Sequence, residues 1–164
     1  MTKELAENIG IKLALKSVTI GILIAYLIPT LLVIGDGIKA TLWIFEISYW
    51  INIVIGILIF YACGYFFGKK AGNEILIKKK DYQKVGAKYG FLTLFVTVFL
   101  TSWVGFFQEG IDSIGSLDNP FYNYIFKPIF WVILFGFIPS IIVGLLFGKW
   151  IKNNGNKKPT HNNV

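Results

Sequence analysis

Four stretches of this chain carry no Asp, Glu, Lys, Arg or His: Ser17–Gly35, Ile47–Gly68, Tyr89–Gln108 and Pro128–Gly148. Each is about twenty residues long, and at roughly 1.5 Å per residue that is enough to cross about 30 Å of hydrocarbon. A core helix of this length in a water-soluble protein would keep a polar face, and none of the four does. The pattern therefore predicts an all-α membrane protein with four transmembrane helices, over residues 17–34, 47–67, 89–107 and 128–148.

The runs also match in pairs. Gly56, Gly64, Gly68 and Lys69 recur eighty positions later as Gly136, Gly144, Gly148 and Lys149, each copy reaching Phe-Gly-Lys where the apolar run stops. Gly35-Asp36-Gly37-Ile38 follows the first run much as Gln108-Glu109-Gly110-Ile111 follows the third. The expected arrangement is two tandem helical hairpins in parallel orientation, an internal repeat with both termini on one side of the membrane.

Charge gives the orientation. Of the 16 basic residues, all lysine, fourteen fall on the side that holds both termini and the segment between the hairpins. The other side has Lys39 and Lys127, together with Asp36, Glu46, Glu109, Asp112 and Asp118. Lysine is retained on the cytoplasmic side during insertion, so both termini are expected inside. The net charge of +7 is accounted for by topology and by contact with anionic lipid headgroups on that side. No nucleic-acid motif accompanies it, and no nucleic-acid partner is expected. The lysine-only, Ile- and Asn-rich composition points to an AT-rich bacterial genome and a bacterial cytoplasmic membrane. The first run exceeds the 7–15 residues usual for a signal-peptide core, and Glu4 and Glu7 dilute its positive leader, so it is read as a retained span.

Between the spans, residues 1–16 place Leu5, Ile9 and Leu13 four apart, suiting an amphipathic leader. Residues 68–88 read as a basic cytoplasmic loop, partly helical, and 149–164 as a disordered basic tail. Trp43, Phe45, Tyr49 and Trp50, and again Phe121, Tyr122, Tyr124 and Phe126, suit the aromatic belt at the outer interface.

Two sets of residues are candidates for function. Helix packing in lipid relies on close backbone approach, which small residues at four-residue spacing permit. Gly56, Gly64 and Gly68 in span two, and Gly136, Ser140, Gly144 and Gly148 in span four, fit that role. A threonine ridge in span three, Thr93, Thr97 and Thr101, could line a polar path, with Asp36 and Glu109 at its outer mouth. Such hydroxyls more often bond the carbonyls of their own helix. Asn52 is read as a contact between helices, Cys63 as a small apolar residue, and His161 as solvated.

No span carries a charge, and proteins that keep one in the bilayer generally use it. With a single cysteine, a single histidine and no embedded carboxylate, neither a cofactor nor a metal site is expected, and the protein is expected not to be an enzyme. The expectation is a small integral membrane protein that works by helix packing, as an accessory subunit, an immunity-like protein bound to another membrane protein, or a homodimer. The alternative is a small channel or transporter with a Thr-lined path.

Overall fold

The computed structural model describes residues 1–32, 50–111, 114 and 119–156, and these are all helix or short connection, without a strand. Helix α1 is Lys3–Leu32. Helix α2 is Trp50–Gly72 and runs on through one wider π-helical turn, Asn73–Ile77. Helix α3 is Tyr82–Gly105, extended by a second π turn, Phe106–Gly110. A third π turn, Tyr122–Phe126, leads into α4, Lys127–Asn156. All four helices are long and apolar enough to cross a membrane.

They are in fact longer than a membrane requires. At roughly 1.5 Å per residue, the 30 residues of α1 or α4 make a rod of about 45 Å. The excess lies at the lysine-bearing end. Residues 3–16 are continuous with the first apolar run, and the stretch 68–88 is helical except at Lys78–Asp81. Lys79 makes that short turn with a left-handed φ of 54°. Asp81 then caps α3, its carboxylate accepting from the backbone N–H groups of Gln83 at 2.7 Å and Lys84 at 3.3 Å.

At the lysine-bearing ends of the apolar runs and beyond them, the helices build a core of the kind found in water-soluble bundles. Ala6, Ala71 and Ile151 are fully buried, and Ile75, Leu76, Val85, Tyr89 and Phe147 join them in one cluster. Water drives apolar side chains together there, whereas lipid does not. Within the apolar runs the large side chains point outward instead: Leu23, Leu27 and Leu31 on α1, and Phe130, Leu134 and Ile138 on α4, are at least half exposed.

Around this core the lysines are tied down by aromatic rings and acids. Lys16 lies over the ring of Trp150 at 4.9 Å and Lys152 over Tyr82 at 4.5 Å. Glu7 pairs with Lys69 at 3.4 Å and Lys3 at 3.9 Å, and Glu74 pairs with Lys80 at 3.2 Å. Tyr89 donates its hydroxyl to Glu74 at 3.2 Å. Partial burial pushes the Glu74 carboxyl up, but Lys80, the Tyr89 hydroxyl and Lys88 together outweigh it and hold the group below its ordinary value.

Asp36, Lys39, Glu46, Asp112, Asp118, His161 and the aromatic residues Trp43, Phe45 and Tyr49 lie outside the described residues, as do the side chains of Trp50 and Glu109.

Candidate functional site: glycine seams and the cavity between the helices

The small residues form two seams. Along the first, α1 meets α2 in opposite chain order. A β-carbon on Gly10 would strike the backbone of Gly68 and Gly72, one on Gly64 would stand 2.6 Å from Val18, and one on Gly21 3.4 Å from the Phe60 ring. Along the second, α3 meets α4 the same way. A β-carbon on Gly86 would strike Gly144 and Gly148, one on Gly90 would stand 2.7 Å from the Ser140 carbonyl oxygen, and one on Gly136 2.9 Å from Leu94. At Gly10, Gly86 and Gly90 the neighbour is backbone, which cannot rotate away, so glycine is required there by close approach; at Gly64, Gly21 and Gly136 the neighbour is a side chain.

The crossing positions of the two seams lie seventy-six residues apart. Gly10 answers to Gly86, Gly68 to Gly144, and Gly72 to Gly148; Ala6, whose carbonyl faces Gly72, answers to Tyr82, whose carbonyl faces Gly148. Gly64, Gly68, Gly136, Ser140, Gly144 and Gly148 therefore all lie on these two seams. Gly56 does not: it faces Thr101 of α3, with a β-carbon distance of 3.3 Å to the threonine methyl. The seams also recruit Gly10, Gly72, Ala6 and Ala14, which sit among charged residues. The signal for them was the four-residue spacing Ala6, Gly10, Ala14 and Gly64, Gly68, Gly72.

The three threonines have different surroundings, although they lie along one face of α3. Thr93 lines the space between the helices and donates its hydroxyl to the Tyr89 carbonyl at 2.7 Å. Thr101 donates to the Thr97 carbonyl at 2.9 Å while its methyl packs on Gly56. Among the described residues the buried Thr97 hydroxyl has no hydrogen-bond partner, nor do the Ser102 hydroxyl and the Asn52 side-chain oxygen. One hydroxyl contact between helices was not foreseen: Thr19 of α1 and Tyr61 of α2 meet at 2.9 Å.

All four helices contribute to a cavity of about 120 Å3 at the lysine-bearing half of the apolar runs. Its wall includes Ala14, Ser17, Gly21 and Ala25 of α1, Phe60 and Gly64 of α2, Gly90 and Thr93 of α3, and Gly136 and Ser140 of α4. Small residues at Ala14, Ser17, Gly21, Gly64, Gly90, Gly136 and Ser140 leave the space, and larger side chains such as Phe60, Leu94 and Val143 complete its wall. Tyr89 and Phe147, both buried, close it toward the lysines, and Phe67 stands beside Tyr89 with ring centres 5.8 Å apart. Cys63, buried on α2 as a free thiol, is not part of the wall.

Comparison of the chain with protein-family models, with curated proteins and with solved structures finds no match.

Proposed function

We propose that this protein is a non-catalytic, multi-pass protein of a bacterial cytoplasmic membrane that works by packing its helices against a membrane partner, as an accessory subunit, an immunity-like protein or a homodimer. The observation that carries the reading is the closure of the lysine-bearing end. There Gly10 crosses Gly72, Gly86 crosses Gly148, and Ile75, Leu76, Tyr89, Phe147 and Ile151 fill the space between. A conducting path has to pass that plug, whose buried side chains are apolar apart from the Tyr89 hydroxyl bound to Glu74. The bulky ridges of Leu23, Leu27 and Leu31, and of Phe130, Leu134 and Ile138, are the surfaces on which a partner helix would lie.

In this reading the four helices form two parallel hairpins related as an internal repeat, which the seventy-six-residue correspondence of the seams supports. Both termini and most lysines face the cytoplasm, in contact with anionic headgroups.

The second reading, a small channel or transporter, is favoured by one observation: three buried polar atoms, on Asn52, Thr97 and Ser102, have no partner among the described residues. Buried polar groups usually find one, and a passing solute or water would supply it.

Purification in mild detergent decides between them. A membrane protein recovered in fixed stoichiometry, with no ion or solute flux from the purified chain in liposomes, supports packing. Flux from the chain alone, with no partner or dimer, overturns it. A reporter fused after Val164 that is active only on the exterior overturns the orientation.

A further inference from the structure

At the lysine-bearing end, the turn between α2 and α3 and the last turns of α4 surround a hollow of about 340 Å3 that helix packing does not use. Ile75 and Leu76, both buried, form its floor. Its rim carries Lys79 and Lys80 from the turn, with Lys152 and Asn156 from α4. Retention of lysine on one side of the membrane explains why these residues lie at this end. It does not explain why lysines from two distant segments meet round one space, where like charges repel.

The charges there are unequally spent. Lys80 is paired with Glu74 at 3.2 Å. Asp81 shares the hollow, but its carboxylate accepts from the backbone N–H groups of Gln83 and Lys84. Lys152 lies over the Tyr82 ring at 4.5 Å, a contact that leaves its charge uncancelled. Among the described residues, neither Lys79 nor Lys152 has a carboxylate within salt-bridge reach. Two such ammonium groups beside a side-chain amide suit a dianion rich in acceptor oxygens. A phosphate monoester, with a charge of about −1.5 to −2 near neutral pH, is such a group. The backbone marks the same place. Lys79 is held at a left-handed φ of 54°, and a π turn, Asn73–Ile77, leads into it. Both features concentrate at functional sites.

Size sets the rest of the ligand. The hollow falls within the roughly 300–1,000 Å3 of small-molecule pockets, and the Ile75–Leu76 floor suits an apolar part beside the phosphate. Lys152 is four residues past Gly148, and Lys79 eleven past Gly68, about 6 and 15 Å along the helices. The headgroup layer adds only roughly 5–7 Å on each side of the hydrocarbon. The hollow therefore lies at the outer edge of that layer and beyond it.

We infer that this hollow binds the phosphate monoester group of a small molecule, held by Lys79 and Lys152 with the Asn156 amide donating, while the apolar part rests on Ile75 and Leu76. The site stands whether the protein packs on a partner or conducts; only the compartment in which the ligand is met rests on the orientation proposed above.

The test is calorimetric titration of the full chain, in a neutral detergent, with phenyl phosphate. Saturable one-to-one binding is expected. Lys79→Asn removes the ammonium but keeps a residue that tolerates the left-handed turn, and it should weaken binding at least fivefold, as should Lys152→Gln. Lys12→Gln, an equal loss of charge at an exposed lysine of α1, should change it less than twofold. If Lys152→Gln does not elute as the wild type does, Asn156→Asp, which puts a negative charge on the rim, is read in its place and should weaken binding as much. Dioctanoyl phosphatidate, a lipid phosphate monoester, is the second titrant. Tighter binding of it, lost with Lys79→Asn, supports the site with a lipid headgroup as its ligand; tighter binding of phenyl phosphate supports it with a soluble one. Equal weakening by Lys79→Asn and Lys12→Gln overturns the inference, because the anion then senses only net charge. Absence of saturable binding by both titrants overturns it as well.

Discussion

Gly86 of α3 crosses Gly148 of α4 so closely that a β-carbon on Gly86 would stand 3.0 Å from the Gly148 α-carbon. On the other side of the crossing, a β-carbon on Gly148 would run into the carbonyl of Tyr82. Both obstacles are backbone, so α3 and α4 would have to separate to admit even a methyl group. Gly148→Ala should therefore destabilise the bundle by roughly 1–3 kcal/mol, the usual cost of overpacking a tight contact. Gly105 has nothing within 4 Å of its β-position, and Gly105→Ala should be neutral or stabilise by up to about 1 kcal/mol through helix propensity. Thermal unfolding of both variants in one detergent checks the contrast; equal effects would mean that the crossing does not limit stability.

The same argument applies at Gly72, whose β-carbon would strike the Ala6 carbonyl, and which lies seventy-six residues before Gly148. Gly72→Ala should resemble Gly148→Ala in size. If α1 and α2 separate without loss of the α3–α4 seam, the two effects should also add, because distant sites are independent. A double variant whose loss of stability falls well short of the sum of the single losses would show instead that the seams form one cooperative unit.

How far the fold was legible depends on the medium in which each part sits. Charge-free windows of about twenty residues marked the spans because lipid tolerates no other composition there. The lysine-bearing ends were hidden by the same rule: Ile75 and Leu76 stand beside Lys78, Lys79 and Lys80, and Ala6 beside Glu4 and Glu7. Their burial follows from helix phase, which the charges mask. The small-residue ladders show a different limit. A ladder of small residues with period four looks alike after a slip of four, so matching Gly64 with Gly144 reads as well as matching Gly68 with it. The crossings themselves pair positions seventy-six residues apart, Gly10 with Gly86, Gly68 with Gly144 and Gly72 with Gly148. The threonine ridge was visible as a pattern, but whether a hydroxyl faces a cavity, a glycine or its own carbonyl depends on rotamers that spacing does not encode.

Glu74 gives the fold a dependence on acid. Its carboxylate accepts from Tyr89 and pairs with Lys80, and its pKa is lowered from the ordinary 4.5. A depressed carboxylate contributes stability that is complete above its unfolded value and disappears as the pH falls through the folded one. The unfolding temperature should therefore hold steady down to the ordinary carboxylate range and then decline. Glu74→Gln should lower stability at neutral pH and flatten the acid limb. An acid limb as steep in Glu74→Gln as in the wild type would assign that limb to other carboxylates.

Asp81 accepts two backbone N–H bonds at the start of α3, at 2.7 and 3.3 Å. The turn before it is short and passes through the left-handed Lys79, so the cap fixes where α3 begins relative to α2. Asp81→Ala should cost about 1 kcal/mol, within the 0.5–2 kcal/mol typical of lost N-caps. Asp81→Asn, which keeps the acceptor, should cost less. Hydrogen exchange at Gln83 and Lys84 would register the change; protection equal to wild type in Asp81→Ala would remove the cap from the account.

Thr97 separates the packing and conducting readings at a single atom. Its hydroxyl is buried with no partner among the described residues, and an unmet buried polar group costs roughly 1–3 kcal/mol. Valine has the same shape without the hydroxyl. If α3 only packs, Thr97→Val removes an unmet group, so thermal stability should hold or rise and recovery of a membrane partner should not change. If α3 lines a path, the hydroxyl meets water or solute, and Thr97→Val should abolish flux in liposomes. Ser102→Ala, which removes another buried hydroxyl without a partner, serves as the companion. Loss of flux in either variant would transfer the function from helix packing to conduction, whereas stability that rises in both, with partner recovery intact, would leave packing as the work of this helix.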